Sequence, residues 1–356
     1  MILKIISYLF FLCVGLASCQ PIFTNEDQSN ATKVLAVPTL TVPAGQMGED
    51  VPYDEENIAW IQGMMAGNPN GISVGLWPAY KNRYVDRDTT FFMVHQDSFI
   101  AQAVVGNWSP ELRDVAVVCL LDYIQIGCAP QLAKEHIVSV PGQGFAFVPV
   151  ELTDIKPGLH DFNILAVRDP YLDGRNAVGD NIRFFTLAST SPSNILVDGL
   201  LAPPDIERVK PRVAGQVEGA GIVTLTYGGK LTDEFGNIPI WVEAEGQGGE
   251  MLTFDLNFLA DIHDEDGDTI AVMAFLNYEQ IPLIYEGHEY LPLFVERQAG
   301  MWQRATVHIQ LPDTPGTYEL VVMGRTDAFS TMEDGQAERD LIGTEESNRI
   351  KIIVNP

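Results

Sequence analysis

Two of the four cysteines, Cys119 and Cys128, lie close enough in the sequence to react with each other. They flank Asp122-Tyr123, and a hairpin turn centred between Tyr123 and Ile124 would bring them face to face on paired strands. A disulfide across this hairpin is one expectation, and a pair of buried thiols is the alternative. Because no histidine lies near them at the spacing of a metal ligand, we expect neither a metal site nor a catalytic cysteine here.

The sharpest acidic cluster of the chain runs from Asp261 to Asp268. Carboxylate oxygens on a flexible, glycine-containing loop are ligands that Ca²⁺ prefers. The candidate calcium ligands are Asp264, Asp266 and Asp268. The EF-hand pattern fails, because counting back from Gly267 as the sixth loop position puts Ile262 where the first acidic ligand belongs. A solvated hairpin turn without a metal is the alternative explanation.

The segment from Gly71 to Gly75 matches the Gly-x-Ser-x-Gly pattern of a catalytic serine, with Ser73 at its centre. That motif needs a strand before it and a helix after it. Here Asn70 precedes the segment and Trp77-Pro78 follows, so a chance match explains it better. The histidines have no paired spacing and stand at His95, His136, His160, His263, His288 and His308. We therefore predict no catalytic residue, no enzyme and no cofactor other than the calcium ion considered above.

The tryptophans are candidate platforms for stacking against sugar rings, although packing in a core is the commoner role of this side chain in a β-sandwich. They are Trp60, Trp77, Trp108, Trp241 and Trp302. Trp108 is the best candidate for a binding surface, because it lies in a polar stretch between Asn107 and Ser109.

The charge balance excludes whole classes of function. The chain has 356 residues, with 48 Asp and Glu against 21 Lys and Arg, which gives a formal net charge of −27. Such a chain is repelled by the phosphates of nucleic acids and cannot bind an anionic lipid surface through a basic patch. A hydrophobic content of 46% is too high for a disordered acidic tail, so most of the chain should fold around a core.

The N-terminus has the three parts of a secretory signal peptide: a basic residue at Lys4, an apolar run over Ile5–Leu16, and small residues after it. The run is too short to span a membrane. Leu16-Ala17-Ser18-Cys19 resembles the lipobox of bacterial lipoproteins. The resemblance implies a signal peptide over 1–18, a lipid on Cys19 and attachment to a membrane. In that family an aspartate directly after the cysteine favours retention in the inner membrane. Here the residue is Gln20, which implies the outer membrane if the cell has two membranes.

Residues 19–57 are polar, acidic and rich in proline and glycine, which predicts a tether between the lipid and the folded part. Its segment Lys33–Val37 has strand character and is alternatively an edge strand. Beyond the tether, short apolar and β-branched runs alternate with turn residues, and no long stretch has helical periodicity. Examples are Thr89–Val94, Val115–Leu121, Leu252–Leu259 and Ile270–Leu276. The predicted fold class is all-β.

An internal repeat divides the folded part in two. Val115–Ile126 aligns with Ile270–Ile281, and Pro157–Asp169 aligns with Pro315–Asp327, at nearly constant separations of 155 residues (Tyr123 to Tyr278) and 158 residues (Pro157 to Pro315). Constant order and spacing indicate a tandem duplication. At the places of Cys119 and Cys128 the second repeat has Ala274 and Leu283. Closing strands are predicted over Asp180–Leu187 and Asn348–Val354, with a boundary near Ala188–Pro204.

In each repeat a Pro-Gly turn precedes an alternating strand, a pattern that resembles bacterial immunoglobulin-like domains. The resemblance implies two tandem immunoglobulin-like β-sandwiches, over 58–190 and 205–356. We expect a non-enzymatic, lipid-anchored surface protein with a structural, adhesive or scaffold role in a bacterial envelope, whose partners are the membrane and other envelope or surface proteins. The alternative is a module that binds extracellular glycans or peptides through loops at the sandwich ends.

Overall fold

Strands and tight turns make up the described part of the chain. The computed structural model describes residues 72–78, 83–86, 89–94, 98–170, 188–197, 204–216, 222–226, 241–259, 267–326, 328–329, 344–346 and 349–356. Within these ranges no helix is long and apolar enough to span a membrane. The predicted all-β fold class is confirmed. The predicted signal peptide and tether lie outside the described residues.

The first repeat forms two sheets. Its strands are β1 (Ile72–Pro78), β2 (Arg83–Asp86), β3 (Thr89–Val94), β4 (Phe99–Asn107), β5 (Arg113–Leu121), β6 (Ile124–Ile126), β7 (Glu135–Val140), β8 (Gly144–Leu152), β9 (Gly158–Arg168) and β10 (Ala188–Val197). One sheet has the order β1-β4-β8, and the other has the order β2-β3-β10-β9-β5-β6 with β7 also paired to β5.

The second repeat also forms two sheets. Its strands are β11 (Arg212–Gln216), β12 (Ile222–Thr226), β13 (Trp241–Gln247), β14 (Met251–Leu259), β15 (Thr269–Leu276), β16 (Glu279–Ile281), β17 (Leu283–Tyr285), β18 (His288–Tyr290), β19 (Leu293–Glu296), β20 (Met301–Gln310), β21 (Gly316–Arg325), β22 (Thr344–Glu346) and β23 (Arg349–Asn355). One sheet has the order β12-β14-β20-β17-β18, and the other β13-β23-β21-β15-β16. In addition, β11 pairs with β20, β19 with β15 and β22 with β21.

The strand order is that of an immunoglobulin sandwich, in which strands C, F and G share one sheet and strands B and E the other. In the first repeat β5, β9 and β10 take the places of C, F and G, and β4 and β8 those of B and E. The second repeat uses β15, β21 and β23 with β14 and β20. The last strand of each also pairs in parallel, β10 with β3 and β23 with β13. The prediction of two tandem immunoglobulin-like sandwiches is confirmed.

Each sandwich has its own core between its two sheets. In the first, alternate residues of β4 such as Phe99 and Val105 meet Val117 of β5 and Ile164 of β9. In the second, Leu252, Phe254, Leu256 and Phe258 of β14 meet the inward side of β15. Alternation selects these residues because successive side chains of a strand point to opposite faces. Burying each large apolar side chain contributes about 1.5–3 kcal/mol.

The C-type strands β5 and β15 depart from this alternation because both of their faces are buried. Every residue of β15 is buried, and β5 is buried continuously from Val115 to Leu120. One face of each strand belongs to its own sandwich core. The other face belongs to a third apolar cluster that contains residues of both repeats. The two sandwiches therefore share an interface built from the outer faces of their C–F–G sheets.

The closing strand of the first repeat differs from the prediction. It is β10 (Ala188–Val197), in the segment that we expected to be the boundary, and the first domain therefore extends beyond residue 190. Gly158 pairs with Val197 as Gly316 pairs with Val354, so β10 and β23 are equivalent strands. The Ser, Thr and Pro residues of this strand gave it the composition of a linker. The predicted strand Asp180–Leu187 lies outside the described residues.

Candidate functional site: the interface between the two repeats

The interface begins at two hairpin turns with an unusual backbone. The β5–β6 turn consists of Asp122 and Tyr123 with φ of 51° and 67°, and the β15–β16 turn of Asn277 and Tyr278 with φ of 50° and 63°. Two-residue turns with both φ values positive are the type I′ turns that suit a twisted hairpin, and they favour Asn, Asp and Gly. A tyrosine is bulky for this backbone region. Tyr123 and Tyr278 are nevertheless only 0% and 1% exposed, so packing must hold them there.

In the first repeat, Asp161 of β9 holds the turn through hydrogen bonds of its backbone and its carboxylate. The Tyr123 hydroxyl donates a hydrogen bond to the buried Asp161 carboxylate. The Asp161 backbone N–H donates to Asp122 Oδ1 at 3.1 Å, and the Asp122 N–H donates to the Asp161 carbonyl at 2.8 Å. These bonds fix both the backbone of the turn and the direction of the tyrosine ring.

The second repeat uses Glu319 of β21 in the same way. The Tyr278 hydroxyl donates to Glu319 Oε2 at 2.9 Å, and the Glu319 N–H donates to Asn277 Oδ1 at 2.8 Å. The Asn277 N–H donates to the Glu319 carbonyl at 2.7 Å. Asp161 and Glu319 thus support the same turn geometry in the two repeats, although the Glu319 side chain is longer by one methylene group.

Reciprocal glutamine contacts join the two hairpins. The Gln125 N–H donates to Gln280 Oε1 at 2.6 Å, and the Gln280 N–H donates to Gln125 Oε1 at 2.6 Å. Gln125 Nε2 donates to the Tyr278 carbonyl at 2.8 Å, and Gln280 Nε2 donates to the Tyr123 carbonyl at 2.7 Å. These four bonds are related by an approximate two-fold axis, as in an isologous dimer. Each hydrogen bond contributes about 0.5–1.5 kcal/mol to the stability of the pairing. Removing one partner destabilises the protein by more than this, because the other buried group is left without a hydrogen bond.

Apolar side chains surround the glutamine pair. The buried members of this cluster are Ala116, Val118, Leu120, Tyr123, Leu165 and Val167 from the first repeat, and Ala271, Met273, Phe275, Tyr278, Val321, Met323 and Phe329 from the second. The Tyr123 ring meets Phe329 and Phe294 edge to face, with centroids 5.3 Å and 5.9 Å apart. Edge-to-face pairs add about 0.5–1.5 kcal/mol to the burial of their area. The two sandwiches are therefore packed as one body at this interface.

Asp161 connects the two repeats directly. Its carboxylate accepts hydrogen bonds from Tyr123 and from Asn194 Nδ2, at 2.6 Å, within its own repeat. It also accepts one from the N–H of Phe329, at 2.7 Å, in the other repeat. Burial raises the pKa of Asp161 above its usual value. Burial and then the Asp161 charge raise the pKa of Tyr123 well above its usual value, so this hydroxyl keeps its proton and acts as a donor.

A disulfide joins Cys119 and Cys128 behind the first hairpin, with Cα atoms 5.2 Å apart. The turn is centred between Asp122 and Tyr123, and Cys119 pairs with Ile126. The expected face-to-face placement was therefore wrong, because Cys128 follows the end of β6. Both cysteines are fully buried in the first core, where the second repeat has Ala274 and Leu283, each 1% exposed. The two repeats thus stabilise equivalent hairpins by different means.

The calcium prediction is not tested by the structure, because Asp264 and Asp266 lie outside the described residues. Asp268 is described, and its backbone carbonyl accepts a hydrogen bond from the Arg297 N–H at 2.8 Å. Among the described residues, no group of three or more His, Cys, Asp or Glu side chains is arranged to hold a metal ion.

Trp108, the best candidate among the tryptophans for a binding surface, is only 5% exposed and has the core packing that was the alternative. Its polar neighbours gave a misleading signal. Asn107 is fully buried and donates to the carbonyls of Glu111 and Val140 at 2.7 Å and 3.1 Å, while Ser109 donates to Asn107 Oδ1 at 2.8 Å. These polar side chains organise a turn instead of contacting solvent.

The other candidates lie in or between strands. Ser73 is inside β1 and pairs with Gly106 of β4, so its segment is not a strand-to-helix turn. Trp77 and Trp241 lie in β1 and β13, and Trp302 lies in β20. Trp60 lies outside the described residues.

Comparisons with known proteins give likenesses to solved structures. No family model and no curated protein matches the chain. The CARDB domain of the PF1109 protein from Pyrococcus furiosus, solved in complex with di-metal ions, is 14% identical, with 36% of this chain and 94% of that chain covered and a TM-score of 0.22. CBD12 from CALX1.2 is 12% identical, with 79% and 100% covered and a TM-score of 0.21. Red sea bream transglutaminase is 11% identical, with 86% and 34% covered and a TM-score of 0.22. At these values the likenesses carry no argument about function.

The glutamine pair gives a first prediction. We expect Gln125→Ala and Gln280→Ala each to lower the free energy of unfolding by about 1–3 kcal/mol, because each leaves buried groups of the other repeat without partners. The double variant should lose less than the sum of the two, by at least about 0.5 kcal/mol. Urea denaturation measures all three values. Gln310→Ala, at an exposed site at the end of β20, is the control and should change little. Strictly additive losses would contradict the reciprocal pairing.

The disulfide gives a second prediction. Replacing Cys119 by Ala and Cys128 by Leu, the pair that the second repeat uses, should keep the fold but lower the free energy of unfolding by about 2–3 kcal/mol through loss of the cross-link. The variant with Ala at both sites should lose roughly 1–2 kcal/mol more, because its core is left underfilled. Circular dichroism and urea denaturation provide the measurement. Wild-type stability in both variants would show that the disulfide contributes nothing.

Proposed function

We propose that this chain is a lipid-anchored, extracytoplasmic protein of a bacterial envelope with a structural, adhesive or scaffold role. The observation that carries the proposal is the interface between the repeats. Reciprocal hydrogen bonds and a shared aromatic cluster hold the two sandwiches at one mutual orientation. A fixed two-domain body suits a spacer or scaffold, because it holds partners at a defined distance without the entropy loss of ordering a flexible hinge.

The lipid anchor in this proposal is supported by the sequence around Cys19 and by the overall charge. An exported chain with a net charge of −27 stays soluble and repels other copies and anionic surfaces, so a covalent lipid gives it an attachment that its charge does not. In a cell with two membranes we place it in the outer one.

We further propose that the protein is not an enzyme. The serine of the Gly-x-Ser-x-Gly segment lies within a strand, and the His160 ring contacts Asp122 at 2.7 Å in the interface region instead of a nucleophile. The alternative proposal is a module that binds extracellular glycans or peptides. Since Trp108 is buried, support for that alternative comes from a sheet face of the second repeat and not from a sandwich end.

The anchor gives a third prediction. In a bacterial host, Cys19→Ala should move the protein from the membrane fraction to the soluble fraction and abolish labelling by a palmitate analogue. Cys13→Ala, in the apolar run of the same signal sequence, is the matched control and should leave both unchanged. Membrane fractionation with gel fluorescence of the labelled lipid is the measurement. Continued labelling of the Cys19→Ala variant would contradict the lipid site.

Calcium binding at the acidic loop is a secondary proposal and gives a fourth prediction. The melting temperature of the wild type should be higher in calcium chloride than in a chelator, because an ion that binds the folded state stabilises it. Replacing Asp264, Asp266 and Asp268 by Asn should remove this difference, and Asp205→Asn, at an exposed site elsewhere, should not. Equal melting of the wild type in both buffers excludes a calcium site.

A further inference from the structure

The outer face of the β11–β20–β14 sheet region in the second repeat carries an ordered row of polar side chains. Its cross-strand pairs are Thr253 with His308, Asp255 with Thr306, Asn257 with Arg304, and Arg212 with Arg304 on the other side. Trp302 is on the same face, two residues from Arg304 on β20. We call this surface the arginine face and define it by Arg212, Thr253, Asp255, Asn257, Trp302, Arg304, Thr306 and His308.

Arg304 is held in place before any ligand arrives. Its Nε donates to Asn257 Oδ1 at 3.1 Å, and its guanidinium lies 4.8 Å from the centre of the Trp302 ring. Trp302 Nε1 donates to the same Asn257 oxygen at 3.1 Å, and Asn257 is fully buried. Arg304 Nη1 is 3.8 Å from Asp255 Oδ2. A guanidinium fixed in this way loses little conformational entropy when it binds a carboxylate in a two-bond geometry.

Arg212 lies beside a second arginine. It lies directly opposite Arg304 in the ladder, so both side chains point to the same face. Like charges at directly opposed positions are destabilising. Arg212 is exposed, and among the described residues it makes no ion pair with an acidic side chain.

The neighbouring strand leaves room at this place. Gly215 of β11 pairs with Trp302, and a Cβ atom added there would lie 3.4 Å from Cε3 of the indole. The indole ring of Trp302 thus packs over Gly215, and no side chain of Gly215 rises between Arg212 and Trp302. Thr253 and Thr306, both exposed, continue the polar row along the strands: Thr253 Oγ1 lies 2.9 Å from His308 Nδ1, and the Thr306 hydroxyl donates to Asp255 Oδ1 at 2.8 Å.

We propose that the arginine face binds an acidic polysaccharide. Arg212 and Arg304 bind the carboxylates of uronic acid residues, and Thr253, Asp255, Thr306 and His308 form hydrogen bonds with sugar hydroxyls. Arg212 and Arg304 lie side by side across β11 and β20, so an extended polymer that crosses these two strands meets both arginines. Asp255 and the net charge of −27 repel a membrane and a polysaccharide of uronic acids alike, so binding depends on direct contacts of carboxylates with Arg212 and Arg304. This inference rests on the glycan-binding alternative, whose ligand class it names, and it depends neither on the scaffold role nor on the lipid anchor.

The test uses the full chain in a gel that contains polygalacturonate, or dextran as the neutral control, with a chelator present to exclude calcium bridges. We expect polygalacturonate to retard the wild type and dextran to leave it unaffected. Arg212→Ser should weaken the affinity for polygalacturonate at least about tenfold, as expected for loss of a charge-assisted contact. Arg304→Lys, which keeps the charge but not the planar fork, should weaken it as well. Arg208→Ser is the matched control, since it removes one exposed arginine four residues away and off this face.

Each other outcome overturns the proposal. Equal weakening by Arg208→Ser and Arg212→Ser would show general electrostatic attraction and no site. Wild-type affinity in both Arg212→Ser and Arg304→Lys would show that the polysaccharide binds elsewhere. No retardation by polygalacturonate, with or without binding to vesicles of anionic lipid, would show that the face does not bind this class of ligand. Melting curves of every variant establish that the fold is kept.

Discussion

The arrangement of the two repeats depends on two tyrosines buried at turns whose backbone disfavours them. Tyr123 and Tyr278 stand in the left-handed region, where a bulky residue has a conformational cost of about 1–2 kcal/mol. The cost is offset because each hydroxyl reaches a buried acid and each ring enters a cluster shared by both sandwiches. If these rings left the interface, Gln125 and Gln280 would lose the carbonyls to which they donate. Disruption of either turn would therefore also break the glutamine pair and release the mutual orientation of the domains.

The sequence was sufficient for the architecture because its signals are local. Alternating apolar runs identify strands, and the constant separation of about 155 residues identifies two copies of one unit. The interface could not be derived in the same way, because periodicity shows that a face is apolar but not what covers it. A signal was present: Asp122-Tyr123-Ile124-Gln125 and Asn277-Tyr278-Glu279-Gln280 both place Tyr where a type I′ turn favours glycine, and both place Gln in the following strand. A residue that is unfavourable locally, and is present twice, indicates that tertiary contacts hold it.

Composition was misleading at two places in the chain. Trp108 was the best candidate among the tryptophans for a binding surface because Asn107 and Ser109 are polar, whereas these side chains use their polar groups within a buried turn. The domain boundary was predicted near Ala188–Pro204 because of its Ser, Thr and Pro content, although β10 lies there and its register with β9 matches that of β23 with β21. In both cases composition was used in place of hydrogen-bond partners, which only the fold supplies. The disulfide is a case in which the sequences of the two repeats differ but their structures do not: the second repeat has Ala274 and Leu283 in place of the two cysteines and forms an equivalent hairpin.

The glutamine pair joins the two sandwiches into one body, and native-state hydrogen exchange tests this joining most directly. The backbone amides of Gln125 and Gln280 donate to the other repeat, so their protection reports on opening of the interface. We expect both amides to exchange as slowly as amides of the core strands β5 and β15. Exchange of both amides at rates close to those of an unprotected peptide, while β5 and β15 remain protected, would show instead that the domains separate freely.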